Sequence, residues 1–147
     1  MAAETILEQL MRLPPPSAKA AREYCRIAEA AASRVSLLLG ARGDLDRLIG
    51  PGNHEVMLAN HLNHARFVCA LLNSFDPGVL TGTLEWVAKS YLSHGFSAGY
   101  WAVQIDAWLE VLRDELPEQA FAEIEPLYEF MREAMEKIAM ATEWRGR

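Results

Sequence analysis

The chain has 147 residues, 20 acidic against 14 basic side chains for a net charge of −6, a hydrophobic fraction of 51% and a charged fraction of 23%. That is enough chain to bury one core, too apolar to stay disordered, and too acidic to offer the basic footprint that nucleic acid or an anionic membrane surface requires. No apolar run approaches the roughly 18–20 residues that cross a bilayer, and the opening MAAETILEQLMRLPPP sets Glu4, Glu8 and Arg12 among its apolar positions, unlike a signal peptide. A cytoplasmic location is therefore expected.

In chain order, residues 1–16 read as a short helix over 4–13 and a connector made by Pro14, Pro15 and Pro16, which remove donors and force an extended path. Ser17 is placed to cap a second helix over 18–39. Its apolar face is Tyr24, Ile27, Ala28, Ala31, Val35 and Leu38, at helical spacing, and its many alanines allow another helix to come close. Gly40 and Gly43 are expected to end it by taking positive φ. Residues 44–49 suggest one loose turn, closed by Pro51 and Gly52, and Asn53 a cap for a helix over 54–75. Asp76-Pro77 reads as a helix restart with a break or second start near Gly82, and Gly95 as its end.

Ser97 is the expected cap of the next helix. There Trp101, Ile105, Trp108, Leu109, Leu112 and Leu116 form the clearest amphipathic pattern in the chain. Pro117 stops it. The last helix starts near Glu118 or Ala122, with Pro126 a kink or a new first turn, and buries Ile124, Leu127, Met131, Met135 and Ile138; residues 143–147 are expected to fray. The expectation is all-α: one domain over residues 1–147, six or seven helices with short connections, and no strand-period segment.

Few residues advertise chemistry. Cys25 and Cys69 lie far apart without a CxxC pair, so the simplest reading is two free thiols, with a disulfide or a covalently attached chromophore as alternatives. His61 and His64 share a helix face and, with Glu55, Asn60 or Cys69, would make half of a metal site; without a second pair no metal is assigned. No nucleophile–base pair or phosphate-cradling glycine loop is present, so no enzyme is expected. The acidic excess between Asp106 and Glu136 reads as two solvated helix faces.

The stretch 84–116 carries a resemblance. Ala88, Gly95, Phe96, Tyr100, Trp101 and the Ala107-Trp108-Leu109 run follow the layout around the haem-bearing helix of bacterial globins. Upstream, His64-Ala65-Arg66-Phe67-Val68 resembles the globin distal helix. The position four before Gly95, where globins place the iron-ligating histidine, is Tyr91, and the corner over residues 40–51 lacks the phenylalanine that globins wedge against haem. The chain thus resembles the non-haem branch of the globin-like superfamily, such as the sensor domains of bacterial stressosome proteins; phycobiliproteins are another globin-like group without haem.

The resemblance implies a globin-like fold and a sensor or protein-interaction role in bacterial signalling. It implies a homodimer through the last two helices, a signalling partner protein and no cofactor. A small apolar ligand would enter between the helix of His64, Phe67 and Val68 and the helix of Tyr91 and His94, with Trp101 on the following helix. Two alternatives stand beside this. One is a haem-binding gas or redox sensor, with Tyr91 or His94 on iron. The other is a helical scaffold bundle unrelated to globins. Trp86, Trp101, Trp108, Phe67 and Phe96 either line a cavity or fill the core.

Overall fold

Residues 5–142 are described by a computed structural model, so the expected fraying of residues 143–147 lies outside them. Among the described residues there are seven helices and no strand: α1 (Ile6–Met11), α2 (Ala18–Gly40), α3 (Leu45–Ile49), α4 (His54–Asn73), α5 (Pro77–His94), α6 (Gly99–Glu115) and α7 (Glu118–Ala141). None is long and apolar enough to cross a membrane.

Local chemistry sets most of the boundaries. Thr5 and Glu8 form a capping box at α1. Ser17 caps α2 by accepting the Ala20 N–H at 3.1 Å. Asp76 accepts the Gly78 and Val79 N–H groups at the head of α5, with Pro77 in its first position. Gly95, at φ +89°, closes α5, and the Phe96 N–H reaches back to the Tyr91 carbonyl at 2.9 Å.

Several boundaries depart from the sequence expectation. α2 runs through Gly40 and ends on Ala41 in the right-handed region; positive φ is found instead at Gly50, Gly52 and Gly95. Leu38 is exposed and Leu39 takes the buried place in the stripe. α5 passes Gly82 unbroken, because burying Leu80 and Leu84 on either side outweighs the ~1 kcal/mol that an exposed helical glycine costs. α7 starts at Glu118 and continues through Pro126, so Pro126 is not a new first turn; Pro126 and Ala122, whose carbonyl loses its helical donor, both lie on an exposed face. Ser97 lies two residues ahead of α6, where its hydroxyl accepts the Gly99 N–H at 3.3 Å. Asn53 makes no cap. Its amide donates to the Ile49 carbonyl at 2.7 Å and the His94 carbonyl at 2.6 Å, fastening the ends of α3 and α5 together. Gly50 fits this corner because its φ is +83° and a Cβ would sit 3.0 Å from the Gly95 carbonyl oxygen.

α2 and α4 lie side by side and antiparallel. They meet at Cys25–Cys69, at the Glu29–Arg66 ion pair (3.6 Å), at the hydrogen bond between Ser36 and His61 (2.8 Å), and where Gly40 faces His54. The buried small residues Ala28, Ala32 and Ala65 let the two helices come this close. α6 and α7 form a second antiparallel pair. It is joined by the Trp101 Nε1–H bond to the Met131 carbonyl (3.0 Å), by Asp106 with Arg132, and by Arg113 with Glu125 (3.4 Å).

The pairs cross. The start of α6 reaches Ser36 of α2 through Tyr100 and His61, and its end reaches Arg34 of α2 through Asp114 and Glu115. α6 lies at the centre: Trp101, Ile105, Trp108, Leu109, Leu112 and Leu116 are all buried, and so are Tyr100, Gln104, Ala107 and Val111. α5 packs on α7 and α1, but its backbone makes no extended close approach to α4.

The two cysteines, expected as free thiols, form a disulfide with Cα atoms 5.1 Å apart. Helix-to-helix proximity of this kind leaves no sequence pattern. The Asn73 amide bonds the Cys69 carbonyl beside it at 2.9 Å. With a separation of 44 residues, the bond contributes about 4 kcal/mol on a loop-closure account. Urea denaturation with and without a dithiol reductant, and of the Cys25→Ala/Cys69→Ala variant, should show similar losses of that order. A loss below about 1 kcal/mol would mean that packing alone holds α2 to α4.

Candidate functional site

Because α4 and α5 stay apart, side chains span the gap and leave a cavity of about 340 Å³ between them. Its α4 wall carries Asn60, Asn63, His64 and Phe67, and its α5 wall carries Thr83, Leu84, Trp86, Val87, Ser90 and Tyr91. Trp101 of α6 and Met131 of α7 form its floor, and these two are hydrogen-bonded to each other. Trp86, 67% exposed, stands at the mouth. The size is at the low end for small-molecule sites, and the lining combines apolar surface with a few neutral polar groups.

Beside the cavity lie two sets of buried and half-buried polar side chains, the second reaching the lining through His64. In the first, His61 Nδ1 is 2.8 Å from the Ser36 hydroxyl, and Nε2 is 2.6 Å from the Tyr100 hydroxyl. Ser36 donates to the Ala32 carbonyl at 3.0 Å, so it accepts from His61 Nδ1–H, which leaves Nε2 to accept from Tyr100. The Tyr100 oxygen also lies 3.3 Å from the Gln104 amide oxygen, while Gln104 Nε2 is buried without a partner. Turning that amide over places its N–H on Tyr100, giving one directed chain from Gln104 to the Ala32 carbonyl, with the amide oxygen then in the partnerless position.

In the second set, Tyr24 and Tyr128 share a hydrogen bond of 2.6 Å, and Tyr128 also meets His64 Nε2 at 2.9 Å. The His64 ring lies 4.7 Å from that of Trp108. The Trp108 indole N–H is buried with no acceptor among the described residues.

Burial sets the protonation states. Desolvation pushes His61 down to about 4. Desolvation, reinforced by neighbouring His61, pushes His64 down to about 3. Both imidazoles are neutral at pH 7. Burial raises the Tyr24 and Tyr91 phenols, partly offset by hydrogen bonds with Tyr128 and Asn60 respectively. It also raises Tyr100 and Tyr128.

Of the residues singled out from the sequence, His64, Phe67, Tyr91 and Trp101 line the α4–α5 cavity. Val68 is buried in the core beyond its lining. His94 is exposed, and its Nδ1–H donates to the Ser90 carbonyl at 2.8 Å, away from the cavity. Tyr91 stacks on Phe96 with ring centroids 4.8 Å apart. The aromatic residues divide between the two expected fates: Trp86, Trp101 and Phe67 line the cavity, while Trp108 and Phe96 are core. His61 and His64 do not converge, since their nitrogens serve separate networks and Cys69 is in the disulfide. Among the described residues no cluster able to hold a metal ion is present.

The haem alternative needs an anionic Tyr91 or an inward His94. Tyr91 lines the cavity, stacked on Phe96, while His94 is exposed and outside the lining. Asn60 enters the sequence reading only beside a possible metal site, and Tyr100 only as part of the globin layout, while Tyr128 is missed altogether. The available signal was a polar tip recurring on otherwise apolar helix faces, as at Tyr24 and Tyr128. No family model matches the chain, and no curated protein or solved structure matches it either.

The depressed histidines predict acid sensitivity. Unfolded histidine titrates near 6.5, so between about pH 4 and 6.5 the unfolded chain binds more protons than the folded one. The groups bonded to both rings are hydroxyls, which offer no countercharge. Stability is complete above about pH 7 and is lost as pH falls through 6.5, by on the order of 2 kcal/mol per histidine at pH 5. Urea unfolding at pH 7 and pH 5 should show that drop, and His64→Gln should reduce it. A flat profile across this range would contradict the neutral buried imidazoles.

Proposed function

We propose that this chain is a non-haem, globin-like sensor domain of bacterial signalling. A small ligand occupies the α4–α5 cavity, and its presence is passed to a partner surface on α6 and α7. The observation that carries this reading is the position of Trp101. Its side chain forms part of the cavity floor and also part of an outer groove of about 390 Å³ between α6 and α7. Its indole N–H holds the Met131 carbonyl, so an occupant pressing on the ring acts directly on the α6–α7 joint.

The globin-like part is supported by the two antiparallel pairs lying across each other, as opposed to a bundle of sequential neighbours. The absence of the proximal histidine and corner phenylalanine supports the non-haem branch. The homodimer would form through the outer α6–α7 groove, whose rim carries Met140, 81% exposed, beside Arg132 and Glu136, over a base that includes the buried Met135 and Ala139. A cytoplasmic domain with the Cys25–Cys69 bond would hold it reversibly, because lasting disulfides are uncommon there. No reaction is assigned: the buried hydroxyls and imidazoles are engaged with one another.

Sedimentation of the purified protein should give a dimer, and Met140→Glu should shift it toward monomer without loss of helicity. A monomer at every concentration would sink the paired-sensor reading. Titration with haemin should give no sharp Soret band. A sharp band would instead establish the haem reading, and its loss in Tyr91→Phe or His94→Ala would name the ligand.

A further inference from the structure

The cavity lining contains no carboxylate, ammonium or guanidinium group, and its one ionisable ring, His64, has Nε2 hydrogen-bonded to the Tyr128 hydroxyl. Asn60, Asn63, Thr83 and Ser90 supply amides and hydroxyls. The charged residues along both walls, Arg66, Glu85 and Lys89, are exposed and none belongs to the lining. An ionised ligand would give up its hydration without meeting a countercharge, at a cost that hydrogen bonds to neutral groups do not recover.

The apolar part of the lining is distinctive too. Phe67, Trp86, Tyr91 and Trp101 bring aromatic rings from α4, α5 and α6 to one space. Such faces favour stacked or edge-on contact with another ring over contact with a flexible alkyl chain. Trp86 leaves two-thirds of its surface in water while standing at the opening. A bound ring beneath it would cover apolar surface that otherwise remains wet.

From this lining we infer that the α4–α5 cavity is a binding site for a neutral aromatic molecule, about one or two fused rings in size, with one hydrogen-bonding group directed at the Asn60–Ser90 side. This deepens the sensor reading and rests on it only for treating the cavity as a ligand site.

The test uses three probes of similar size on the full chain at pH 7: 2-naphthol, which is neutral; 2-naphthoate, which is charged; and 2-decalol, which is neutral but not aromatic. Binding is measured by calorimetry, alongside the Ser90→Phe variant, which fills the cavity, and Trp86→Ala, which removes the ring at its mouth. Circular dichroism and thermal unfolding establish that each variant is folded.

Binding of 2-naphthol at least tenfold tighter than either comparison probe is expected, abolished in Ser90→Phe and weakened severalfold in Trp86→Ala. Equal or tighter binding of 2-naphthoate or 2-decalol, still abolished by Ser90→Phe, would overturn the ligand class while leaving the cavity as a ligand site. No binding of any probe to a folded protein would overturn the inference, and 2-naphthol binding unaffected by Ser90→Phe would place it elsewhere and do the same. The sensor reading itself is judged separately by the dimer measurement.

Discussion

The arrangement depends on pairing the tyrosine and histidine tips that reach the interior. Tyr24, Tyr100 and Tyr128 bring hydroxyls into the core, and His61 and His64 bring ring nitrogens. Each of those atoms, left alone, would cost on the order of 1–3 kcal/mol. Their solutions are spread over different helices. Ser36 of α2 meets His61 of α4, which meets Tyr100 of α6; Tyr24 of α2 meets Tyr128 of α7, which meets His64 of α4. The crossing of the two pairs is thereby fixed by hydrogen bonds of definite length as well as by apolar packing, which alone tolerates sliding. The same dry surroundings hold both imidazoles neutral.

The cavity follows from where close packing stops. Alanines bring α2 onto α4, and α6 is buried almost all round, but nothing similar draws α5 onto α4. At the top of the gap, Asn53 and Gly50 fasten α3 to the Gly95 corner. At the bottom, Asp76 starts α5 just after α4 has ended. The ends are set, and the middle is left to rings that meet across space. Trp101 therefore borders the cavity on one side and the outer α6–α7 groove on the other, which is the geometric basis for reading it as a relay.

What the sequence made legible was local. The Trp101-to-Leu116 stripe announced itself by period, and Ser17, Asp76-Pro77, Gly95 and Pro117 marked helix ends through chemistry that acts within a turn. The errors have the opposite character. Gly82 carries a local penalty that tertiary burial outweighs, and Asn53 looked like a side-chain cap but its amide answers to a carbonyl 41 residues away. The Tyr24–Tyr128 pair spans 104 residues and the disulfide 44, separations at which one sequence holds no pairing signal. Of the candidate site, the ring-bearing positions could be read from the helix faces. Which of them faced a space and which faced the core could not, because that turns on the distance between α4 and α5. Trp86 shows this best: its residue type promises burial and its position denies it.

The disulfide bears on that space in a mechanical way. Cys25 and Cys69 make α2 and α4 one covalent piece, so the His64 side of the cavity behaves as a fixed jaw. The opposite side is a single helix, pinned near both ends and carrying an exposed glycine, Gly82, one turn before Trp86. Any widening or narrowing of the gap must then be taken up by α5, and through α5 by α7, on which it packs. Breaking one sulfur–sulfur bond would leave that jaw held by the alanine packing and the Ser36–His61 and Glu29–Arg66 contacts alone.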